Sequence, residues 1–124
     1  MTTADRPTLA PFALDLERLA RLNGRELMTC HDGFKAAFAA VQGTLNQSRC
    51  SGEVEEALDG LWQWLGAAMT ATADVALDRT PADRDDAEAL AWLEIERRGG
   101  YGESLAEMAA LVSARVAMVE RVAQ

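Results

Sequence analysis

From Phe12 to Leu45 the apolar positions keep a single phase. Phe12, Leu16, Leu19, Leu27, Cys30, Phe34, Phe38, Val41 and Leu45 recur at intervals built from three and four residues, the period of one face of an α-helix. A chain written this way must bury that face against another element, which makes a packed helical architecture the natural outcome. Asn23-Gly24 could stop a helix, but a break and restart would normally scramble the phase. The pattern therefore predicts one long first helix from about Pro11 to Asn46, with a kink at Gly24 as the alternative.

Three further helices are expected. After the polar cluster Asn46–Gly52, with Ser51 placed to cap, the positions Leu58, Leu61, Leu65, Ala68, Thr72 and Val75 alternate by three and four. Thr80-Pro81 then reads as an N-cap followed by the first helical residue, with Asp83 reaching back and Asp85, Asp86 and Glu88 complementing the helix dipole. That helix runs to about Arg98 and ends at Gly99–Gly102; its widely wrapped apolar residues suit a helix wedged between neighbours. The last helix, Glu103 to about Val122, presents Leu105, Met108, Ala109, Val112, Val116 and Val119 on one side and a strip of alanines (Ala106, Ala110, Ala114, Ala117) on another. Strand signals are absent. The expected fold is all-α, a bundle of about four helices with a long first helix and a helical hairpin, forming one domain over residues 11–124 behind a flexible segment 1–10.

Composition narrows the functional classes. With 49% hydrophobic and 26% charged residues, the 124-residue chain lies outside the disordered regime. Its net charge of −8 opposes a phosphate backbone, so nucleic acid is not an expected partner. The longest uncharged window, Gly60 to Ala73, is shorter than the roughly 20 residues of a membrane crossing, and no signal-peptide pattern opens the sequence. A cytoplasmic protein with two reduced cysteines is expected, since Cys30 and Cys50 would lie too far apart along the helices for an internal disulfide.

No set of residues declares a reaction. The stretch LMTCHDGF holds the only histidine beside a cysteine, yet Cys30 falls inside the apolar stripe and reads as a small core residue. His31 projects toward the stripe's edge, and its role stays open. Two cysteines and one histidine cannot assemble a zinc site, and no Glu-x-x-His pair is present for a di-iron site. The acidic run at Asp83–Glu88 reads as helix-start charge rather than a magnesium site. RRGGYGES could cradle an anion at Arg97, Arg98 and the glycine amides, but Glu103 would repel it, and a plain turn plugged by Tyr101 is the simpler reading. No cofactor or metal is expected.

Partner contacts are expected instead at Trp62, Trp64, Tyr101 and Arg115. Trp62 and Trp64 flank the seam of their helix on opposite sides, so they should not share a neighbour; Trp92 is expected in the core. Arg115 projects among apolar residues and needs an internal carboxylate or an interface. The function expected is a non-enzymatic interaction or adaptor bundle that binds another protein, a second copy of itself, or both. The alternatives are a bundle binding a small apolar ligand and an amphipathic coat on a lipid or polyester granule. For the last, the long alanine-rich helices of the first 75 residues are loosely similar to those of phasins, without a specific motif.

Overall fold

The structure, a computed structural model, describes residues 14–99 and 103–122; the segment 1–10 and Tyr101 lie outside the described residues. Five α-helices pack together: α1 (Leu16–Ala20), α2 (Gly24–Leu45), α3 (Gly52–Leu77), α4 (Arg84–Gly99) and α5 (Leu105–Val122), with no strand among the described residues. The all-α expectation holds, and the helices number five because the long first helix is in fact two.

The division lies at Asn23, and local chemistry explains it. The Asn23 side chain accepts from the Glu26 amide at 2.9 Å while the Glu26 carboxylate accepts from the Asn23 amide at 3.0 Å, a reciprocal capping box that starts a new helix. Asp15 caps α1 in a similar manner through the Arg18 amide. The apolar phase survives the break because Leu19 and Leu27, on either side of it, enter one cluster with Ala76, Leu90 and Leu93. The stripe placed Leu19 and Leu27 in the core, but Leu16 is exposed, Phe34, Phe38, Val41 and Leu45 are only half-buried, and the pattern could not register a turn that preserves its phase.

Gly24, the first residue of α2, rests on the start of α4. Its amide donates to the Asp86 carboxylate, whose second oxygen accepts from the Ala82 amide at 2.9 Å. A Cβ at Gly24 would stand 2.6 Å from that carboxylate and 2.8 Å from the Asp86 carbonyl oxygen, so only glycine permits this approach. The start of α4 also differs from the expected one. Asp83, not Thr80, is the cap: its side chain accepts from the Asp86 amide at 2.8 Å and its carbonyl from the Ala87 amide. Pro81 consequently belongs to the preceding loop. Asp83 and Asp86 are thus both committed to backbone amides, and within the acidic run Asp85 pairs with Arg25 on the surface.

The helices α2 and α3 form an antiparallel hairpin, and α4 packs against both. Contacts from Gly24–Asp86 to Lys35–Glu96 show that α2 and α4 run in the same direction. Beyond Lys35 the hairpin continues without α4: between residues 36 and 60 no side chain is fully buried. Ten further residues of α2 make an arm about 15 Å long at 1.5 Å per residue. Ser51 holds the N-cap position of α3 as expected, although its side chain makes no capping bond. The buried Thr72 hydroxyl donates to the Ala68 carbonyl at 2.7 Å, leaving no orphaned polar group there. α5 is capped by Ser104, which accepts from the Glu107 amide at 3.1 Å, and packs chiefly on α4. No described helix is long and apolar enough to cross a membrane.

Candidate functional site

The apolar stripe of α5 read from the sequence turns mostly outward in the structure. Leu111 is the one buried residue of the helix, with Met108, Arg115 and Met118 half-buried beside it. Leu105 is 90% exposed, Val116 55% and Val112 40%; on the neighbouring α4, Trp92 is 50% exposed, against the expectation of a core position. Two ion pairs accompany this orientation. Arg115 meets both oxygens of Glu94, Nη2 donating at 3.2 Å, and Arg98 meets both oxygens of Glu103 at 2.9 and 3.2 Å. Each clamps α5 or its approach to α4.

The result is an open groove of about 290 Å³ between α4 and α5. Trp92 and Ile95 form one wall, Val112, Val116 and Val119 the other, and Ala91 and Arg115 the floor; Arg84, Glu88 and Glu120 supply the charged rim. Leu105, Ala109, Val112, Val116 and Val119 follow each other by four and three along α5, the spacing of a helix seam. The sequence holds the same clue. A helix with an apolar stripe and an alanine strip on separate sides needs more than one neighbour, and α5 has chiefly α4.

Arg115 therefore takes the internal pairing, with Nη1 also placed 3.6 Å from the Met118 sulfur. Arg98–Glu103 pairing and an Arg97–Asp74 bridge at 2.9 Å use the charges that the anion reading of RRGGYGES needed. Trp62 and Trp64 both reach α2, contrary to expectation. Trp62 stacks on Phe38 with centroids 4.9 Å apart, and Trp64 meets Phe34 edge-on at 6.0 Å. Two indoles projecting from either side of the seam can do this because each is long enough to wrap around the facing helix. The Trp62 Nε1 is buried without an acceptor among the described residues.

Cys30 packs at the edge of the core cluster, and both cysteines are free. His31 is more buried than its edge position suggested, only 4% exposed. It lines a cavity of about 300 Å³ with Phe38, Met69, Thr70 and Ala73, where Glu96 and Arg97 also contribute. Among the described residues, no cluster of three or more His, Cys, Asp or Glu side chains could hold a metal ion.

Burial lowers the His31 pKa below its ordinary value, outweighing the upward pull of Glu96 and Asp32, while Lys35 adds to the lowering. The unfolded chain then takes up the proton before the native one does. Stability should be constant above about pH 7 and decline as pH falls through the ordinary histidine range, by no more than about 1.4 kcal/mol per pH unit for one proton. Since His31 is the only histidine, urea unfolding between about pH 5.5 and 7.5 reads this group almost alone. His31→Gln should flatten the slope. A wild-type profile already flat over that range would mean that the imidazolium is as well accommodated in the fold as in water.

Compared with models of known protein families, with curated proteins and with solved structures, the chain matches none.

Proposed function

We propose that this protein is a non-enzymatic docking module whose α4–α5 groove receives the apolar side of an amphipathic helix from a partner protein. The observation that carries the reading is the run of outward apolar side chains from Trp92 across Val112 and Val116 to Leu105. Solvated apolar surface of this kind commonly marks an interaction site, and the four-three spacing along α5 suits a helical occupant. Charge favours a partner bearing basic residues beside its apolar stripe. The chain carries −8 overall, although the groove's own rim is mixed, with Arg84 beside Glu88 and Glu120, so it is the whole-chain charge that sets a long-range repulsion for a second copy and not for a basic partner.

The double variant Val112→Asp/Val116→Asp tests the reading. Both positions are exposed, so stability should change by no more than about 1 kcal/mol in total. The tagged wild-type chain should capture a discrete protein from its native cell, and the variant should lose it, with affinity for the purified partner falling at least about tenfold, or 1.4 kcal/mol. Retention of that protein at the wild-type level would refute the groove as the docking face. Sedimentation of the purified chain covers the homodimer: a monomer at micromolar concentration is the expected result.

A small apolar ligand is the second reading, favoured by a groove close to the roughly 300 Å³ at which ligand pockets begin. Such a ligand would raise the melting temperature of the purified wild type and leave the double variant unaffected. The granule-coat reading loses its main support, because α2 is not a free amphipathic helix: its apolar face packs against α3 and α4.

A further inference from the structure

Near the end of α4, the cavity of about 300 Å³ that holds His31 is lined from three helices: His31 and Phe38 on α2, Met69 and Thr70 on α3, Glu96 and Arg97 on α4. His31 is only 4% exposed, and neither of its ring nitrogens has a hydrogen-bond partner among the described residues. The side-chain atoms that are both unpaired and sealed from solvent belong to Trp62, Arg79 and Arg115, not to His31. The imidazole nitrogens are therefore unpaired and still accessible, and this cavity is where the ring opens. Thr70 is unpaired as well. The hydroxyls of Thr29, Thr44 and Thr72 each donate to the carbonyl four residues back along their helix, and that of Thr70 makes no such bond.

The charged groups of the cavity are already matched. Lys35 Nζ donates to both oxygens of Glu96 at 2.9 and 3.1 Å, and Arg97 Nε holds Asp74 at 2.9 Å, so a charged ligand finds no open counter-charge. An imidazole whose pKa is lowered by burial is mostly neutral at pH 7, with one nitrogen donating and the other accepting. A hydroxyl group both donates and accepts, so it satisfies either tautomer of the ring and the Thr70 hydroxyl beside it. We propose that this cavity binds a small neutral ring bearing one hydroxyl, a phenol-class ligand, with the hydroxyl on His31 and Thr70 and the ring against Phe38 and Met69. An apolar cavity of about 150 Å³ already accepts benzene, so the space is sufficient, and a thioether packs well against an aromatic edge. The site is distinct from the outer groove and does not rest on the docking reading.

The test titrates the full chain, labelled with ¹³C and ¹⁵N, with phenol and separately with toluene. His31 is the only histidine, so its ring resonances are unambiguous, and they should move saturably in phenol. Nuclear Overhauser contacts from phenol to the Met69 methyl and the Phe38 ring should place the ligand. Toluene leaves water more readily than phenol, so an apolar space without usable hydrogen-bonding groups would prefer toluene. Here phenol should bind the tighter by at least about tenfold. At ten times its dissociation constant, phenol should raise the melting temperature by at least about 3 °C. His31→Leu should weaken phenol at least about tenfold, and Thr70→Val, which keeps the shape and loses the hydroxyl, about fivefold. His31 resonances that do not saturate in phenol, toluene binding as tightly as phenol, or absent contacts to Met69 and Phe38 each overturn the proposal on the wild type alone, whatever the fold of the variants. Undiminished phenol affinity in a folded His31→Leu or Thr70→Val overturns it as well.

Discussion

Gly24→Ala should destabilise the protein by about 3 kcal/mol, even though alanine is the better helix former. Helix propensity alone favours alanine by up to about 1 kcal/mol. Against this, the added methyl meets Asp86 Oδ1 at 2.6 Å, the Asp86 carbonyl oxygen at 2.8 Å and Leu90 Cγ at 3.1 Å. Two of these three atoms cannot swing aside cheaply. The carbonyl is part of α4, and the carboxylate also holds the Ala82 amide. Moving α2 away lengthens the Gly24 bond to Asp86, at about 1–3 kcal/mol for a partly buried charged acceptor, and overpacking adds about 1–3 kcal/mol. Gly33 is the control on the same helix: nothing lies within 4 Å of its added Cβ, so Gly33→Ala should stabilise by up to about 1 kcal/mol. Urea unfolding of the two variants should therefore shift in opposite directions. A Gly24→Ala midpoint at or above that of the wild type would mean that the two helix starts are not in contact in solution.

Leu93→Ala should destabilise the protein further still, by about 3–5 kcal/mol. Leu93 is 1% exposed and belongs to the cluster that unites α1, α2, α3 and α4 through Leu19, Leu27, Ala76 and Leu90. The cavity left behind has walls on several helices, and they cannot all close on it at once. Domains of this kind are stable by only about 5–15 kcal/mol, so about a fifth or more of the total is at stake. Leu105→Ala removes the same atoms from a 90% exposed site and should change stability by no more than about 0.5 kcal/mol. If calorimetry placed both variants within a degree of each other, the core would lie elsewhere.

Helix type and approximate extent were legible in the sequence because periodicity is a local property. The turn at Arg21–Asn23 was not, since Leu19 and Leu27 kept their phase across it; the Asn23–Glu26 capping box was the better signal and had to outweigh the stripe. Likewise Asp83 and Asp86 form a better cap than Thr80-Pro81, but which acidic residue caps depends on where α2 lies against α4. Pairings such as Arg115–Glu94 and Lys35–Glu96 join residues 21 and 61 positions apart, and no local pattern encodes them. The candidate groove was visible only in outline. The sequence held surplus apolar surface on α5, but which side faces water depends on its packing on α4, where Leu111 is buried and Arg115 pairs with Glu94. His31 and the tryptophans show the same boundary: a helical projection gives direction, and neighbouring helices decide burial.

Among the described residues, the two-helix projection formed by the end of α2 and the start of α3 packs chiefly on itself, because α4 stops short of most of it. Lengthening or shortening both helices of that blade together would alter its reach and leave the central cluster untouched. The turn at Asn46–Ser51 is accordingly where this chain can accept an inserted peptide or a fused domain at least expense to the rest, as exposed connections generally do. In related chains of this architecture, differences in length should concentrate there.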